Sequence, residues 1–146
     1  MTALSADSFP RMAGPAGQRN SYLVEASEII YKGAIVGIDG TDGYAQAGDD
    51  AAAMAIVGIA DEQCDNSAGA DAAKSVAVLS DVTVRLTQDG NITQAMVGGL
   101  ATCLDDGTVS EAGTTTPSDN IVGRIVARES ATAVWVYIPG GGSAGL

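Results

Sequence analysis

Residues 75–88, SVAVLSDVTVRLTQ, carry the clearest structural signal in the chain. Val76, Val78, Val82, Val84 and Leu86 fall on one parity, and Asp81, Thr83, Arg85 and Thr87 on the other. Side chains alternate across a β-strand, so this order specifies sheet with one dry and one wet face. Asp89, Gly90 and Asn91 close the stretch with tight-turn residues.

The same grammar extends in both directions. Upstream, SYLVEAS (21–27) and EIIYKGAIVGI (28–38) are β-rich, and DGTDG (39–43) supplies a turn with two Asp-Gly pairs. YAQAG (44–48) follows as a short return strand, and the apolar run AMAIVGIADEQ (53–63) leads into the acidic loop DEQCDNSAGAD (61–71). Downstream, ITQAMVGGLATCL (92–104) is mixed: Thr93 is placed to cap one helical turn through Val97, which Gly98 and Gly99 would end. A strand over 100–104, a DDG turn, a short TVS return and a loop EAGTTTPSDN (111–120) come next. The closing pair is IVGRIVARE (121–129) and TAVWVYIPG (132–140). In the latter, Val134, Val136 and Ile138 alternate with Trp135 and Tyr137, so both faces read as covered. Seven to nine short strands with hardly any helix predict an all-β fold, a small barrel or sandwich.

Three regions follow. Residues 1–20 read as an extended N-terminal arm, because Pro10, Gly14, Pro15 and Gly17 break any helical period and no strand alternation appears. Such a segment stays disordered unless something, such as a second chain, ties it down. Leu4, Phe9 and Met12 are spaced like apolar anchors along it, and Arg11 and Arg19 are its basic residues. Residues 21–139 form the β-barrel-like domain, and GGGSAGL (140–146) has flexible-linker composition.

Charge and chemistry narrow the function. The chain of 146 residues has seven basic and eighteen acidic side chains, a formal net charge of −11. Residues 1–20 hold two of the basic and one of the acidic groups, which leaves five and seventeen, or −12, on the rest. A body so acidic repels polyanions, so no nucleic-acid partner is expected. No membrane partner is expected either: the longest apolar run, residues 51–60, is about half the length that spans a bilayer. With no leader pattern at its start, the chain is expected to be made in a cytoplasm.

With no histidine in the sequence, the usual zinc sites and the Ser-His-Asp and Cys-His devices have no base or ligand. Cys64 and Cys103 lack C-x-x-C spacing and are expected to be free, buried thiols. GGGSAG (140–145) fits G-x-G-x-x-G only formally, without the strand–turn–helix setting that binds phosphate. Asn91-Ile92-Thr93 fits a glycosylation sequon but reads as turn. Asp61, Glu62, Asp65, Asn66 and Asp71 offer oxygens in one loop, yet their spacing is not that of a calcium loop. The expectation is therefore no catalytic residue, no metal site and no cofactor.

Four phrases then carry a resemblance: IYKGAIVGIDGTDGYAQAG (30–48), AIVGIADEQCDNSAGADAAKSVAVLSDV (55–82), GLATCLDDGTVSEAG (99–113) and VGRIVARESATAVWVYIP (122–139). Together they resemble the capsid decoration, or cement, proteins of tailed bacteriophages, across roughly residues 21–139. The resemblance implies a structural virion protein with a lambda-type head decoration role: a compact β-tulip or small barrel on the outer capsid surface. It implies the major capsid protein and the chain itself, as a homotrimer, as partners. It also implies an N-terminal arm that orders on the lattice, with Leu4, Phe9, Arg11, Met12 and Arg19 as capsid-binding residues. The residues leave two other readings open: a different virion or surface β module, such as a tail, spike or calcium-stabilised adhesin-like domain, and a small carboxylate hydrolase.

Overall fold

The computed structural model describes residues 3–113 and 120–141. Residues 114–119 of the expected loop and 142–146 of the expected tail lie outside the described residues.

The protein is all-β and contains a closed five-stranded barrel. Its strands run in chain order β1 (Gln18–Leu23), β2 (Glu28–Ile30), β3 (Ile35–Asp39), β4 (Ala45–Ala47), β5 (Met54–Ala60), β6 (Cys64–Asn66), β7 (Ser75–Ser80), β8 (Val82–Gln88), β9 (Leu100–Asp105), β10 (Thr108–Glu111), β11 (Ile121–Ser130) and β12 (Ala133–Ile138). The barrel closes in the order β10-β8-β12-β11-β9, with β10 and β8 parallel and the other pairs antiparallel. A five-stranded sheet runs β1-β7-β5-β3-β4, and β2 pairs with β6 in a small ribbon.

Twelve strands among the described residues exceed the seven to nine expected, for two reasons. β2 and β6 have only three residues each, too short for any alternation to register. The stretch 75–88 also holds two strands. Asp81 takes a left-handed φ of 54°, and the chain leaves the sheet as β7 to enter the barrel as β8. Val82, Val84 and Leu86 are buried as their parity predicts.

Two apolar clusters result. One fills the barrel with Val82, Val84, Leu86, Val109, Val122, Ile125, Val134, Val136 and Ile138, and takes in Ile35, Ile56 and Ile59 from the sheet. The other, built on Val24, Ile30, Ala34, Val36, Val57, Ala60, Cys64, Val76 and Val78, lies between the sheet's far face and the ribbon. Residue 57 is the extra residue of a bulge: Val36 pairs with Gly58, and Gly37 with Ile56. Hence Ile56 and Ile59 face one cluster while Val57 and Ala60 face the other.

Buried amides join the pieces. Gln88 Oε1 accepts from Ile92 N at 2.8 Å while its Nε2 donates to Ser130 O at 2.8 Å and Ile92 O at 3.2 Å. Asn120 Nδ2 donates to Asp49 O and Ala52 O, and its Oδ1 accepts from Met54 N. Between Ile92 and β9 the predicted helical turn is a 3₁₀ turn, Gln94–Met96, whose Thr93 makes no side-chain cap bond.

Candidate interaction surface

β8 meets β10 only at Thr87 and Gln88, which leaves its edge over residues 82–86 for another strand. The arm takes that place. Met12 bridges Val84 antiparallel, Arg85 N donates to Arg11 O at 2.9 Å, and Ala13 N donates to Thr83 O at 2.9 Å. Phe9, Met12 and Ala16 are partly buried against the barrel cluster.

On one side of this segment, Gly17 N donates to Asp81 O. On the other, Ser8 N donates to Lys32 O, Lys32 N to Asp7 Oδ1, and Leu4 N to Asp106 Oδ1. The arm therefore straps the sheet and the barrel together across their joint. Gly33, at φ 94°, lies under the crossing, where a Cβ would strike Ser8 O and the Phe9 backbone. Only a residue without a side chain fits that position.

The five arm residues singled out from sequence have these positions. Leu4 packs on the sheet–ribbon cluster. Phe9 lies beneath the Lys32 ammonium, 5.8 Å from its ring centroid, and Met12 lies opposite Val84. Arg19 is not in the arm at all. It belongs to β1, and its guanidinium pairs with Asp61 at 2.9 Å and Glu62 at 3.6 Å. Gln18, Arg19 and Asn20, the last three residues of the expected arm, pair with Ser80, Leu79 and Val78. Polar residues with no alternation hid the first half of this strand, at 18–20, whereas residues 21–23 fall in the expected SYLVEAS strand. Arg11 is exposed beside the wet face of the barrel.

That face is the feature sequence reading described only as covered. Trp135 and Tyr137 are half-buried, side by side with Arg85 and Thr83 across the β8–β12 ladder. Arg85 forks onto one oxygen of Glu129, at 2.9 Å from Nε and 2.6 Å from Nη2, and Trp135 Nε1 donates to the other at 3.4 Å. The hydrogen bond and charge of Arg85 hold the Glu129 carboxyl below its ordinary range, with Trp135 and Arg11 assisting. On the neighbouring strand Val126 is 49% exposed and Arg124 is exposed. An aromatic and arginine-rich surface on an acidic protein is suited to contact with another macromolecule. A cleft of about 240 Å³ separates the arm from the barrel beside it, lined by Phe9, Arg11, Arg85 and Thr87 among others.

The acidic loop has a structural role. Asp65 Oδ1 accepts from Ser67 N and Oγ, Asp71 Oδ1 accepts from Ala26 N, and Asp61 and Glu62 face Arg19. Asn66 is buried, with Nδ2 donating to the carbonyls of Val24, Glu25 and Ala70. Among the described residues the carboxylates that do converge are those of Glu25, Asp39 and Asp42, with oxygens within 4.8 Å of one another. Burial, then the hydrogen bond and charge of Asp42, push Glu25 up to about 7, with Asp39 and Glu28 adding to the shift. Cys64 and Cys103 are buried and unbridged. No helix among the described residues is long and apolar enough to cross a membrane.

No protein-family model matches this sequence, and no curated protein matches it.

Proposed function

We propose that the protein is a structural virion component that binds the outer surface of a phage capsid as an oligomer and stabilises the mature head. It acts through contact area, without a chemical step. The observation that carries this reading is the arm: an extended segment with apolar residues at 4, 9 and 12 that adds to a sheet edge through backbone bonds. A segment able to complete one sheet edge is chemically able to complete another on a capsid protein. Repetition of weak arm contacts over an oligomer would give a firm attachment. The aromatic and arginine face of the barrel offers a second contact for the same partner or for a neighbouring copy. The resemblance to decoration proteins supports the assignment, and its quoted phrases map onto β3–β4, β5–β7, the β9–β10 hairpin and the β11–β12 hairpin.

The test is co-sedimentation of the purified protein with phage heads before and after expansion. The proposal expects saturable binding to expanded heads and little to unexpanded ones. Binding to neither, or equal binding to isolated capsid subunits, would overturn it. The alternative is a calcium-stabilised surface module: in the 61–71 loop Asp61, Asp65 and Asp71 each hold a partner within the protein, while Asn66 Oδ1 is buried without one among the described residues.

A further inference from the structure

The cleft between the arm and the barrel lies where the edge of β8 changes partner, from the arm at residues 83–85 to β10 at Thr87 and Gln88. Its volume is about 240 Å³, roughly eight water molecules' share of the liquid. A small molecule or a single side chain fits such a space. Its lining differs from the rest of this acidic protein. Arg11 and Arg85 line it and, among the described residues, no aspartate or glutamate does, although acidic side chains outnumber basic ones eighteen to seven. Carboxylates of adjoining residues are engaged with backbone groups: Asp7 Oδ1 accepts from Lys32 N and Asp106 Oδ1 from Leu4 N. Glu129, which does not line the cleft, accepts both Arg85 bonds on one oxygen. Two guanidiniums against that one carboxylate leave a local charge of +1. Ser8 and Thr87 add hydroxyls to the lining, and Phe9 and Leu86 add apolar surface.

We infer that this cleft is a binding site for a monoanionic carboxylate carried on a short apolar body. The planar fork of arginine matches a carboxylate with two parallel hydrogen bonds. Arg11 is the residue placed to supply them, since it is exposed while Arg85 already forks onto Glu129. Hydroxyls can donate to the remaining lone pairs, and the apolar body lies against Phe9 and Leu86. A few polar groups converging over apolar walls is the general make-up of a small-molecule site. Two sources carry this chemistry, a free small carboxylic acid and the C-terminal residue of a peptide. The inference stands apart from the capsid reading, because it needs no phage head.

The free probe is 4-methylpentanoate, and the peptide probe is N-acetylated glycyl-glycyl-leucine with a free C-terminus. Their uncharged counterparts are 4-methylpentanamide and the same peptide amidated. Binding is read from amide chemical shifts of the nitrogen-15-labelled chain during titration. At least one carboxylate should give saturable shifts centred on Arg11, Arg85 and Thr87, with its amide about tenfold weaker, the worth of one charge-assisted hydrogen bond. If only the free acid binds, the site takes small molecules; if only the peptide binds, it takes a chain terminus. Arg11→Gln should weaken binding about tenfold, since it removes that fork and leaves the backbone carbonyl that Arg85 N uses. Glu129→Gln, which frees Arg85, should tighten it, a gain that a purely structural role for Glu129 would not give. Should Glu129→Gln fail to fold, Thr87→Trp at its exposed position should fill the cleft and abolish binding. No saturable shift with either carboxylate, amides that bind as well as the acids, or shifts centred elsewhere would overturn the inference. Inorganic phosphate binding as tightly as the better carboxylate would show that charge alone is read, and would overturn it too.

Discussion

Tyr137 Oη donates a 2.7 Å hydrogen bond to Asp81 Oδ1, so the last strand of the barrel is tied to the residue at which the chain passes from sheet to barrel. That hydrogen bond, then loss of hydration, then the Asp81 charge raise the Tyr137 phenol above its ordinary value. A raised folded-state value means stability that is fully present below the unfolded phenol value, about 10, and lost as pH rises through the folded one. Tyr137→Phe should therefore melt below the native protein at pH 8, with the gap closing above pH 10. Thermal melts of both across that range provide the check.

Asp81 itself sits at φ 54°, where a short polar side chain is tolerated and a β-branched one is not. Asp81→Asn should fold with nearly native stability. Asp81→Val should lose about 1–2 kcal/mol from the backbone alone, read as a lower urea midpoint with unchanged slope.

Gln88 is fully buried and satisfies three backbone groups of two different turns. Gln88→Leu keeps the volume yet leaves Ile92 N without its acceptor. A loss of roughly 1–3 kcal/mol is expected from such an unpaired buried group. Gln88→Glu should be tolerated better at low pH, where a protonated carboxyl can still donate. Urea titrations at pH 4.5 and 7.5 distinguish the two.

Glu25, raised from 4.5 to about 7, binds its proton more tightly folded than unfolded. Its contribution is complete below about pH 4.5 and disappears as pH climbs through 7. The native protein should gain stability between pH 8 and pH 5 from this group, and Glu25→Gln should flatten that part of the profile. If native and variant profiles ran parallel, the carboxylate cluster would have no such linkage.

How far sequence alone reached depended on whether period two survived in the chain. β8 and β12 keep strict alternation against a barrel with one filled side, and Val84, Leu86, Val134 and Val136 were legible as core. β5 hides its pattern, because the bulge at residue 57 puts even-numbered Ile56 and odd-numbered Ile59 on the same side. The break at Asp81 was invisible because the parity of buried residues continues unbroken across it. The start of β1, residues 18–20, shows neither alternation nor apolar content, since it belongs to an edge strand open to solvent. The arm residues Leu4, Phe9 and Met12 were recognisable as anchors. What they rest on was not, for Val84 and Gly33 lie far away in sequence and only the tertiary fold brings them together.

The bulge on β5 has a mechanical result. Because that strand lends side chains to the barrel on one side and to the ribbon on the other, neither half can melt while the other keeps its shape. Warming should therefore yield one cooperative transition, seen at the same temperature by Trp135 fluorescence on the barrel and by exposure of the Cys64 thiol at the ribbon.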